Sequence, residues 1–205
     1  MRLWFFLLPL GAAAQVLDVT IIDYAGVPPK VMAVASEVIL DIYRKAGSRV
    51  ELTVQTAEWR PNESIKLSDV PGDIVLRICS REMGQRLTRK SSVLGYVQPT
   101  GEGELARVAS VFYGRVEQLQ EATGDLTSLV LGAALAHELG HLLLGKGQHS
   151  PMGIMRCPWD SDDLRALKRG QLVFHQRHAK LVGNGIKART GSRPDRGITL
   201  VARLN

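Results

Sequence analysis

Apolar residues recur at two different periods along this chain, and the changes between them divide it into elements. Val16 to Tyr24 (VLDVTIIDY) is β-branched and partly alternating, which predicts a strand. Gly26 and the Pro28-Pro29 pair punctuate it, and the prolines suit a helix start. From Lys30 to Ala46 the apolar residues Val31, Val34, Val38, Ile39, Ile42 and Tyr43 fall at helical spacing, and Gly47 stops the run. Val50 to Gln55 predicts a second strand, Thr56 to Pro71 a polar loop and Asp73 to Cys79 a third strand. Val93 to Gln98 and Ala106 to Tyr113 predict a fourth and fifth, joined by the Gly-rich turn Pro99 to Glu104. Leu126 to Leu144 is then apolar nearly all round and predicts a buried helix, with Asp125 placed to cap it and Gly145 to stop it. A last helix is predicted over Asp162 to Leu181. The order β-α-β-β-β-β followed by helices argues for an α/β (α+β) fold around a mixed twisted sheet.

The ends of the chain follow different rules. Arg2, the apolar run Leu3 to Leu10 and Ala12-Ala13-Ala14 form an export-signal pattern, so residues 1–14 read as a signal peptide and the mature chain as starting at Gln15. The apolar run is too short to span a bilayer. Export places the protein outside the cytosol, secreted or periplasmic, and makes Cys79 and Cys157 candidates for a disulfide, with two free thiols as the other reading. At the other end Lys187, Arg189, Arg193, Arg196 and Arg203 face only Asp195, so residues 186–205 read as a basic, loosely ordered tail. Without aromatic residues among those cations, specific nucleic-acid binding is not predicted. At 205 residues, 45% apolar and 22% charged, the remainder is long enough for one domain with a real core.

The chemistry is concentrated in AHELGHLLLGKGQHSPMGIM, residues 136–155. Residues four apart share one face of a helix, so His137 and His141 can reach a single ion, with Glu138 beside them. This is the H-E-x-x-H arrangement, in which two imidazoles bind Zn²⁺ and the glutamate stays free to act on a metal-bound water. Burying two imidazoles and a carboxylate in an apolar helix is costly unless something pairs with them, and a metal does. A third ligand is required, and the chain has no Glu after Glu138. His149 is best placed, because Gly145 ends the helix and Gly147 permits a reversal. Asp160, Asp162, Asp163, His175 and His178 are the other candidates.

Taken together, His137-Glu138-x-x-His141, a glycine, the His149-Ser150 pair and Gly153-Ile154-Met155 resemble the metzincin zinc peptidases, in particular their matrixin-like stretch. The spacing departs from the metzincin H-E-x-x-H-x-x-G-x-x-H, since Gly145 comes one residue late and His149 two. The resemblance implies a zinc metalloendopeptidase domain over residues 15–185, with one catalytic Zn²⁺ held by His137, His141 and His149. It implies that Glu138 is the general base, that Met155 is the Met-turn residue beneath the histidines, and that a peptide or protein substrate binds along the edge strand near Val93 to Gln98. The alternative is a non-catalytic domain stabilised by zinc, in which Asp160 or Cys157 supplies a fourth ligand.

Overall fold

The computed structural model describes residues 15–61, 67–87, 93–98, 105–123, 126–145 and 148–191. The elements are β1 (Val16–Asp23), α1 (Pro29–Lys45), β2 (Arg49–Thr56), β3 (Ile74–Cys79), α2 (Arg81–Leu87), β4 (Gly95–Val97), β5 (Val108–Phe112), α3 (Tyr113–Thr123), α4 (Thr127–Leu144), α5 (Ser161–Lys168) and α6 (Gln176–Thr190). One sheet has the order β2-β1-β3-β5-β4. All its neighbours run parallel except β4, which lies antiparallel to β5 at the edge. The mixed α/β fold is therefore the one predicted.

The core explains the layering. Leu17, Val19, Ile21, Ile74, Leu76, Ile78, Ala109 and Val111 form the buried face of the sheet, and α1, α4 and α6 pack on it. Helix α4 is long and apolar enough to cross a membrane, yet 78% of it is buried inside the protein, which marks it as the central core helix. Glycine lets its neighbours come that close. A Cβ on Gly132 would stand 2.5 Å from the Ala35 carbonyl of α1, and one on Gly185 of α6 would stand 2.4 Å from the Leu143 carbonyl. The Tyr43 hydroxyl closes the α1–α4 contact by donating to the Ala136 carbonyl (3.1 Å).

Several expectations need correction. The fourth strand is only three residues long, although bonds from Gln98 N–H to Val108 and from Phe112 N–H to Leu94 extend its pairing. Helices α2 and α3 were not foreseen. Both are polar, and α2 buries only Met83 and Gly84 over the second face of the sheet, too narrow a stripe to stand out in the sequence. The single helix predicted over Asp162 to Leu181 is two. Asp160 starts α5 with a capping box, and Gly170, at φ +65, ends it by letting Gln171 N–H reach the Ala166 carbonyl.

Helix α6 then runs to Thr190, so Lys187 and Arg189 belong to a packed helix and not to a loose tail. Arg189 donates to the Ala106 and Leu142 carbonyls, both at 2.7 Å, which places a cation at the C-terminal end of α4. The two cysteines are free thiols, Cys79 buried and Cys157 exposed. The signal segment 1–14, Asp125, the turn 99–104, Gly147 and the cations beyond Gly191 lie outside the described residues.

The α1–α4 approach yields a test. Gly132→Ala gains about 1 kcal/mol of helix propensity but pushes a methyl group into a backbone carbonyl that cannot rotate away. The second effect wins, with a net loss of about 1–3 kcal/mol. Thermal unfolding should show a midpoint several degrees below wild type; an unchanged or higher midpoint contradicts this packing.

Candidate metal centre

Three histidines meet at the C-terminal half of α4. His137 and His141 lie one turn apart, and Gly145, at φ +91 and ψ 172, takes a conformation open essentially to glycine alone. The chain leaves the helix axis there and returns with His149. The His141 Nε2 lies 3.0 Å from His137 Nε2 and 3.2 Å from His149 Nε2.

Protons alone satisfy this cluster poorly. The His137 Nδ1–H donates to the Ile154 carbonyl (2.7 Å), which leaves its Nε2 as an acceptor aimed at the other two rings. The His141 Nε2 can donate at most one proton, and its buried Nδ1 has no partner among the described residues. A tetrahedral zinc ion with Zn–N bonds of about 2.0–2.1 Å holds its nitrogens about 3.3 Å apart, close to the separations seen here. The donor set is all imidazole, of which zinc is a common partner. On both counts these residues fit zinc, and they form the one cluster able to hold a metal among the described residues.

The rival ligands are engaged elsewhere. Asp160 accepts from the backbone N–H of Asp162 and Asp163 and pairs with Arg156. Asp163 pairs with Arg156 as well, and Asp162 with Arg165. His175 caps α6, and His178 is buried on that helix. Cys157 lines the same cleft but is not one of the grouped donors.

The turn over residues 153–155 packs against α4 beside His137 and Gly140. Gly153 has φ +74, and a Cβ there would meet the Val173 carbonyl at 2.4 Å. Ile154 N–H donates to that same carbonyl, while the Ile154 carbonyl accepts from both His137 and Trp159. Met155 is fully buried, and its sulfur lies where a Cβ on Gly140 would come within 2.6 Å. Gly140 separates the two helical histidines by its place in sequence, so Met155 sits against α4 between them. Ser150 ties the incoming loop to this turn, donating from its N–H to Met155 and from its hydroxyl to Met152.

Glu138 lines a cleft of about 630 Å³ together with all three histidines. The edge strand β4 passes directly over it: a Cβ on Gly95 would come within 2.7 Å of Glu138 Cγ. Burial raises the Glu138 carboxyl to about 8. Burial also lowers His137 to about 4 and His141 to about 3, so both rings stay neutral and able to ligate. Trp159, Gly95 and the cleft arginines Arg115 and Arg156 escaped the sequence reading, since no spacing rule marks them.

Across the whole fold the chain is similar to the crystal structure of archaemetzincin from Methanopyrus kandleri, with a TM-score of 0.55 and 18% identity over 87% of this chain and 99% of that one. That likeness establishes the fold. No protein-family profile and no curated protein matches the sequence.

The shifts predict a pH signature in the metal-free protein. Between about 4.5 and about 8 the unfolded Glu138 carboxyl is ionised while the folded one keeps its proton, so its contribution falls as pH rises through that window. The two histidines act oppositely: below their ordinary value of 6.5 the unfolded rings take up protons that the folded ones refuse, and stability falls with pH. In the presence of chelator, Glu138→Gln should therefore match wild type near pH 4.5 and exceed it increasingly toward pH 8, by on the order of a few kcal/mol. Denaturation curves for the two proteins that stay parallel across this range contradict the assignment.

Proposed function

We propose that this chain is a secreted zinc-dependent endopeptidase in which His137, His141 and His149 hold the metal and Glu138 is the general base. The convergence of three imidazole nitrogens beside a cleft-lining carboxylate carries the reading. The likeness of the fold to archaemetzincin supports it. Among the described residues no fourth donor joins the histidines, which favours an open coordination position over a closed structural site.

Zinc bound there would supply Lewis acidity, polarising an amide carbonyl and making water acidic enough to attack near neutral pH. Glu138 takes the proton from the attacking water and passes it to the leaving amine. Uptake of that proton needs the ionised carboxylate: burial beneath Gly95 keeps the metal-free carboxyl protonated near neutrality, and a cation held by the adjacent histidines would lower it into the range of a working base. The Ile154 carbonyl keeps His137 in the tautomer whose Nε2 faces the cleft. The outer edge of β4 offers backbone groups to an extended peptide, with Tyr96 and Val97 among the cleft-lining residues. The export-signal pattern in the sequence of residues 1–14 supports a secreted or periplasmic location.

Purified protein should bind one zinc per chain. Glu138→Ala should keep that zinc, measured by elemental analysis, and lose cleavage of a peptide library by at least about 10²–10⁴-fold. His149→Ala should lose most of the metal. Normal cleavage by Glu138→Ala rejects the mechanism, and full zinc occupancy in His149→Ala moves the third ligand elsewhere.

A further inference from the structure

We infer that Arg115 gives the cleft a subsite for a carboxylate on the bound peptide, one or two residues from the scissile bond. The inference rests on the cleft being a peptide-binding groove, as proposed above, and adds to it a substrate class: peptides carrying an acidic group at a fixed place.

Arg115 stands in the first turn of α3, half-buried, with its guanidinium carbon 4.3 Å from the centre of the Phe112 ring. Its Nη1 donates to the Val93 carbonyl, just ahead of the edge strand. Burial lowers its pKa, the direction for a cation that has given up water without gaining a counter-ion. Among the described residues no carboxylate pairs with it. A guanidinium carries five N–H donors in a planar fork that matches a carboxylate, and most of this fork is uncommitted.

The remaining charges of the cleft sharpen the argument. Arg156, the other arginine in the lining, is neutralised by Asp160 and Asp163. Among the described residues Glu138 is the only acidic one in the lining, and it is not ion-paired with Arg115. The lining of the same cleft also includes Leu94, Leu119, Trp159 and Leu164, which are apolar. One unmatched cation in an apolar groove attracts an anionic group and makes a buried neutral amide there a poor substitute. The position follows from the strand: Val93, which holds Arg115, is two residues from Gly95, which covers Glu138, and two residues span at most about 7 Å.

Binding can be read without turnover, using zinc-loaded Glu138→Gln protein and fluorescent peptides of one sequence. The first peptide carries an internal Glu and an amidated C-terminus, the second replaces Glu by Gln, and the third keeps Gln but has a free C-terminus. The Glu peptide should bind about tenfold or more tightly than its Gln counterpart, with the difference shrinking as salt is raised. Gain by the third peptide alone identifies a terminal carboxylate as the ligand. Adding Arg115→Gln should erase the discrimination, Arg115→Lys should keep part of it, and Arg115→Glu should turn it toward a Lys-containing peptide, a reversal that a purely structural arginine would not produce.

Equal binding of all three peptides overturns the inference, and this comparison needs no Arg115 variant to fold. So does an acid preference that survives Arg115→Glu. If wild type cleaves a peptide library without regard to charge, the subsite falls while the peptidase stands. If no peptide is bound or cleaved, both fall together.

Discussion

A single hydrogen bond, from His137 Nδ1–H to the Ile154 carbonyl, joins the two halves of the site. It fixes which ring nitrogen carries the proton, and so which one is left to face His141 and His149. It also holds α4 to the turn at 153–155, where the same carbonyl accepts from Trp159. If that carbonyl turned away, the tautomer of His137, the seat of Met155 and the floor of the cleft would change together. The geometry of the cluster is therefore set as much by a loop backbone as by helical periodicity.

The second constraint is close approach. Helix α4 is wedged between α1, α6, the turn at Met155 and the edge strand, and at four places a glycine removes the methyl group that would hold the surfaces apart: Gly95, Gly132, Gly140 and Gly185. Two of these are on α4 itself, where glycine weakens a helix by about 1 kcal/mol each relative to alanine. Packing outweighs that cost, since each gap is filled by a carbonyl, a sulfur or the Glu138 side chain. The resulting burial shifts Glu138 upward and His137 and His141 downward.

Much of this was legible in the sequence, for identifiable reasons. The strands β1, β3 and β5 are β-branched runs, and α4 is an apolar run too long to be anything but helix. The i,i+4 spacing of His137 and His141 is helical geometry written directly in residue numbers. The return of His149 to the other two was readable because Gly145 ends the helix. Helices α2 and α3 were not readable, since each buries too little apolar surface to set a period, although Ser80 just before α2 is a cap signal, its hydroxyl accepting from Met83 N–H. The split after Lys168 depended on Gly170 adopting a left-handed conformation that glycine allows but does not require. Arg115 had no spacing to betray it, because its partners Val93 and Phe112 come together only once the sheet edge and α3 are in place.

Arg189 shows what this means for the far end of the molecule. Its guanidinium bridges the last turn of α4 to the segment leading into β5, two pieces of chain separated in sequence by more than 30 residues, so the basic stretch read as an appendage works as a strut. In the last turn of the helix that carries the histidines, the His141 carbonyl accepts from Gly145 N–H and the Leu142 carbonyl accepts from this cation of α6. That helix is thus tied near its C-terminal end by a residue that is not among those lining the cleft.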